Sequence, residues 1–106
     1  MTSIEDLKTM IRRNKLLGMW AAEKLGLAGD DADAYADALA VGTLDPERSD
    51  VFGIIRKDFD AAGVVQSDAD ILGVMDRLML KASQMQAARG SSGDAAAVML
   101  ARNLTR

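Results

Sequence analysis

Three groups of residues in this chain have types and spacings that could do chemistry. Arg12, Arg13 and Lys15, in the run RRNK, could contact phosphate groups of a nucleotide or of nucleic acid. Asp30, Asp31, Asp33 and Asp37 gather carboxylates of the kind a calcium ion takes as ligands. Asp58 and Asp60 form a carboxylate pair flanked by Arg56 and Lys57, with the residue types of acid–base chemistry or of charged contacts to a partner. Each group has a plainer reading. The chain lacks a GxxxxGK[ST] loop, and its glycines fall at helix ends rather than in a phosphate cradle, so a solvated helix face accounts for the basic run. Weak ATP or ADP contact at Arg12, Arg13 and Lys15 is the alternative. The acidic cluster lacks the glycine and the bidentate glutamate of an EF-hand loop and reads as a helix start with a solvated face.

Asp58 and Asp60 stand two residues apart, so on a helix their side chains point to different faces and make a poor catalytic dyad. Near a helix C-terminus each opposes the dipole by about 0.3–1 kcal/mol, a small cost that wants a reason. Pairing with Arg56 or Lys57, of this chain or of a partner, supplies one, and all four are partner-contact candidates. Met10, Met19, Met75 and Met79 read as core filler, or, where exposed, as an adaptable docking surface. The chain has no histidine and no cysteine, which excludes histidine-based catalysis, zinc sites of the usual donor set, thiolate chemistry and disulfides. With no nucleophile–base arrangement to assemble, the chain reads as a binding module rather than an enzyme, with no metal or cofactor required.

The elements that position these groups are helices. One domain fits 106 residues, and one proline and four aromatics, against many alanines and leucines, favour helix over strand. A net charge of −3 argues against nucleic acid as partner. The N-terminus MTSIEDLKTMIRRNK lacks the basic-then-apolar order of a signal peptide, and no apolar run is long enough to span a bilayer, so the reading is cytoplasmic without membrane insertion.

The apolar period predicts a long first helix over 3–25, capped by Thr2 or Ser3 and stopped at Gly26 in a Schellman-type turn. Gly18 lies in its apolar stripe, where it predicts close approach of another helix, and Asn14 in the same stripe needs a hydrogen-bond partner if buried. A second helix, 31–41, starts on an Asp30 or Asp31 cap and presents small residues. A third, 46–62, starts at Asp45-Pro46-Glu47 and stops at Gly63. A fourth, 68–88, is capped through Ser67-Asp68-Ala69-Asp70. Short connections make consecutive helices antiparallel. The expected architecture is an all-α, antiparallel four-helix bundle over 1–89, with Gly90-Ser91-Ser92-Gly93 opening a loosely attached tail, 90–106, that includes a short helix over 95–104.

RRNKLLGMWAAEKLGL in the first helix and IIRKDFDAAGV across the end of the third resemble the zeta subunit family, the ATPase inhibitor subunit of alphaproteobacterial F-type ATP synthases. Weaker similarity, in AYADALAV and SDADILGVMDRLMLKA, extends the resemblance over roughly 11–87. It implies a four-helix bundle that docks on the catalytic head of the synthase, peripheral to the inner membrane. In the family a mobile N-terminal segment wedges into a catalytic interface and blocks ATP hydrolysis. Here Met1–Met10 precede the first block where family members carry a longer charged arm, so no inhibitory residue is carried over and inhibition is not assumed. The alternatives are a nucleotide-binding sensor using the basic run, and an interaction module that dimerises through the tail; a monomer is favoured.

Overall fold

The computed structural model describes residues 3–91, with side chains through Met85. They form four α-helices and no strand: α1 (Ile4–Lys24), α2 (Gly29–Gly42), α3 (Val51–Ala62) and α4 (Asp68–Ser91). The architecture is the expected all-α four-helix bundle, with α1 at its centre against both α2 and α4.

The ends of α1 follow local chemistry. The Ser3 hydroxyl accepts from the Asp6 N–H at 3.0 Å, and Glu5 and Asp6 place negative charge in the first turn, where the dipole favours it. At its end Gly26 takes φ +81°, donating to the Glu23 carbonyl while Leu27 donates to the Ala22 carbonyl. Those two bonds are the Schellman pair, and α3 repeats them with Gly63 at φ +72°, Val64 donating to Phe59 and Gly63 to Asp60.

Gly18 shows why α1 carries a glycine in mid-helix. A Cβ there would stand 2.6 Å from the Ala36 Cα of α2, so the missing side chain lets the two backbones meet. Around that contact α1 and α2 run antiparallel: Lys15 pairs with Asp37, and Asn14 reaches Thr43 just past the end of α2. Ala32, Ala36 and Ala40 line the α2 side.

Two helix starts differ from expectation. α2 begins at Gly29 with Ala28 as its N-cap and no side-chain cap, so Asp30 and Asp31 sit inside the first turn, favourable to the dipole without capping it. α3 begins at Val51 rather than at 46. Asp45 does organise a turn, accepting from the Glu47 N–H and the Arg48 Nε at 3.0 Å each. The backbone does not continue as helix, because the Arg48 carbonyl lies against Gly42, 2.9 Å from where a Cβ would be, and folds the loop back on α2. The next aspartate, Asp50, takes the cap by accepting from the Gly53 N–H at 3.0 Å. The 43–50 connection is therefore longer than the sequence suggested.

α4 is entered through a reciprocal box: Asp70 N–H donates to the Ser67 hydroxyl and Ser67 N–H to the Asp70 carboxylate. It runs to Ser91, past the expected fraying near Ala88, since the stretch after Met85 contains good helix formers and Gly90 costs only about 1 kcal/mol. The rest of the tail, including the helix expected over 95–104, lies outside the described residues. The core collects Leu17 and Ala21 of α1, Leu39 of α2, Val51, Ile55 and Phe59 of α3, and Ile71 and Val74 of α4. Trp20 of α1 packs against Phe59 with ring centres 5.6 Å apart and planes inclined by 57°, a tilted arrangement that aromatic pairs favour.

Candidate functional site

Two surfaces hold the basic run, Asp37 and the α3 residues that the sequence singled out. On α1 the basic run divides. Arg12 and Lys15 face a groove of about 510 Å³, lined also by Lys8, Ile11 and Leu16 of α1, Asp37 and Ala40 of α2, and Met85 of α4. Lys15 pairs with Asp37 across its edge. Arg13 turns elsewhere: its Nε donates to the side-chain amide oxygen (Oδ1) of Asn14 at 2.7 Å. Burial lowers its pKa from the ordinary arginine value, and the negative charge of Asp76 on α4 partly offsets that. The three cations thus do not converge on one point. Asn14, almost fully buried, is satisfied on both sides, accepting from Arg13 and donating to the Thr43 hydroxyl at 2.7 Å.

Trp20 stands apart from the groove. It is engaged with Phe59 and borders a second depression of about 460 Å³, with Lys24 of α1, Gln66 of the loop, and Asp70, Gly73 and Arg77 of α4.

The second surface is the C-terminal half of α3. Asp58 and Asp60 point apart, as their spacing requires, and each meets a different group. The Tyr35 hydroxyl of α2 donates to the Asp58 carboxylate at 2.7 Å. Burial pushes the Tyr35 phenol above its ordinary pKa, and the Asp58 hydrogen bond and charge add to the shift. Asp60 accepts from Arg56, whose Nε and Nη2 reach one carboxylate oxygen at 3.1 and 2.8 Å. The same guanidinium donates through Nη1 to the Gln66 carbonyl at 2.6 Å and to the Asp68 carboxylate at 3.1 Å. The bonds to the two carboxylates raise the Arg56 pKa, Asp68 contributing most and Asp60 next. Arg56 is a hub that ties the end of α3 to the start of α4, and Lys57 beside it is exposed. The two aspartates that oppose the α3 dipole have their compensation inside the chain.

Several participants were not legible as site residues in the sequence. Lys8, Asp37 and Met85 join the groove only because α1, α2 and α4 meet in one register, and Tyr35 finds Asp58 across the 43–50 connection. The sequence groups Asp37 with Asp30, Asp31 and Asp33 in an acidic cluster; the structure pairs it with Lys15 at the groove instead. Asp30, Asp31 and Asp33 are exposed, and among the described residues no group of three or more acidic, histidine or cysteine side chains is placed to hold a metal ion. No helix among these residues is long and apolar enough to cross a membrane.

The fold and these two charged surfaces define a four-helix-bundle protein built around interhelical contacts. A family model described as ATPase inhibitor subunit zeta matches residues 4–85. The chain belongs to that family. The matched region begins at residue 4, eight residues before the first block that resembles it, so the opening turns of α1 are part of the family segment. No curated protein and no solved structure matches the chain.

Proposed function

We propose that this chain is a non-enzymatic accessory protein of an F-type ATP synthase that binds the catalytic head of the complex from the cytoplasmic side. The observation that carries this reading is the family match, which spans all four helices up to residue 85. The bundle is consistent with it: Lys15–Asp37, Asn14–Thr43 and Tyr35–Asp58 tie the helices into one body that presents charged surfaces. The α3 surface is the proposed contact. Lys57 and Asp60 are exposed there, while Arg56 and Asp58, held by Gln66, Asp68 and Tyr35, fix the helix behind them.

The test is a pull-down with the cognate synthase head combined with its ATP hydrolysis rate, with and without the full chain. Stable association is the expected result, and hydrolysis then reports whether this member inhibits. A head that fails to retain the protein would end the proposal. If the head does retain it, Lys57→Glu should weaken the complex, and unchanged binding would move the contact away from α3.

A further inference from the structure

The groove between α1, α2 and α4 combines two properties that select its occupant. Its floor is apolar, formed by Ile11 and Leu16 of α1, Ala40 of α2 and Met85 of α4. Its rim is cationic: Lys8, Arg12 and Lys15 face the carboxylate of Asp37, a local balance of +2 on a chain whose net charge is −3. A cationic patch draws a partner segment of complementary, acidic charge and disfavours a basic one.

The spacing adds shape. Lys8, Arg12 and Lys15 stand at i, i+4 and i+7, along one side of α1 over roughly 10 Å of helix rise. Ile11 and Leu16 run beside them. A trough two turns long, walled by helices and edged by a row of like charges, matches the side of an amphipathic helix, which presents anchors at the same period. The Lys8–Glu5 and Lys15–Asp37 pairs do not close the site. Both are solvent-exposed ion pairs, of the kind that exchange partners at little cost. Met85 gives the floor an unbranched side chain that adapts to what lies on it.

We infer that this groove receives an amphipathic helix of the synthase catalytic head, apolar side chains on the floor and Asp or Glu side chains toward Lys8, Arg12 and Lys15. The inference rests on the reading of the chain as a synthase accessory protein and adds a second surface to the one on α3.

The experiment measures binding of the full chain and of Lys8→Glu to the purified catalytic head. Lys24→Glu serves as control, about 24 Å along α1 from Lys8 by helix rise. Circular dichroism checks that each variant folds. Lys8→Glu should weaken binding by about tenfold or more, equivalent to roughly 1.4 kcal/mol. Lys24→Glu should leave it within about twofold, the scale of surface changes outside a contact. Added salt should weaken the wild-type complex. A benzophenone amino acid placed at position 8 should crosslink to a helix of the head that carries acidic side chains. Equal binding by wild type and Lys8→Glu, or crosslinks to a strand or a basic segment, would overturn the groove inference and leave the accessory reading standing. A head that does not bind the wild-type chain would overturn both. Amide shifts of Ile11, Leu16 and Ala40 with ATP alone, and none with the head, would assign the groove to a nucleotide instead.

Discussion

The α1–α2 seam and the α3–α4 hairpin solve the same packing problem by opposite means. Along the seam the side chains are small and the backbones touch: Gly18 meets the Ala36 Cα, and Ala21, Ala32 and Ala40 are buried beside it. At the hairpin the backbones stay farther apart and large or charged side chains fill the distance. Phe59 and Ile55 project into the core, Arg56 reaches across the 63–67 turn, and Tyr35 extends from α2 to Asp58. The seam therefore depends on what is missing from one residue, and the hairpin on what a few side chains supply. Damage to the first comes from added atoms, and damage to the second from removed ones.

Substitutions that exploit this difference should separate the two regions. The largest effect is expected from Phe59→Ala, which empties a fully buried site in the core that all four helices build and should cost about 3–5 kcal/mol. Denaturant unfolding gives the magnitude, and amide exchange should show α3 losing protection before α1 and α2. Uniform loss of protection would mean that the hairpin has no separate stability. Gly18→Leu attacks the seam. The obstacle is the Ala36 backbone rather than a flexible side chain, so the helices must move apart, at about 1–3 kcal/mol. A cost under about 0.5 kcal/mol, ordinary for a surface site, would show that the close approach is not structural.

Tyr35→Phe is the smallest change and removes only the hydroxyl that joins the regions. Since the residue is half-exposed, the loss should be about 0.5–1 kcal/mol at neutral pH. Its pH dependence has a definite sign. The folded-state phenol pKa is raised above the unfolded value near 10, so this contribution is complete below that pH and is lost as pH rises beyond it. Wild type should lose stability above pH 10 faster than Tyr35→Phe does. Parallel alkaline curves would remove Tyr35 from the link.

The same contrast explains what could be read from the sequence. Gly26 and Gly63 announced their helix ends because a Schellman turn is written within six residues, and Gly18 announced a helix crossing because a glycine in an apolar stripe has few other uses. The start of α3 was misread because Asp45-Pro46 and Asp50 both offer a start within six residues. The choice between them lies in the contact of Gly42 with the Arg48 carbonyl, which no local pattern records. The α2 start was misread for a related reason: aspartates suit a cap and a first turn equally well. The α3 acids stood out because two acids at a helix end are anomalous, and the structure pairs Asp58 with Tyr35 and Asp60 with Arg56. The groove did not, because its lining comes from three helices and only their relative placement brings Lys8, Asp37 and Met85 together.

The alanines of α2 leave an ambiguity that one amide resolves. Ala32, Ala36 and Ala40 recur every four residues, so sliding α2 by one turn along α1 would set another alanine opposite Gly18 and keep nearly the same apolar contact. The seam by itself cannot tell these alignments apart. Asn14 can, because only the observed alignment brings the Thr43 hydroxyl to its buried Nδ2. A displaced α2 would leave that donor dry and unpaired, at about 1–3 kcal/mol. By excluding the shifted alignments, Asn14 makes one packing out of several near-equivalent ones.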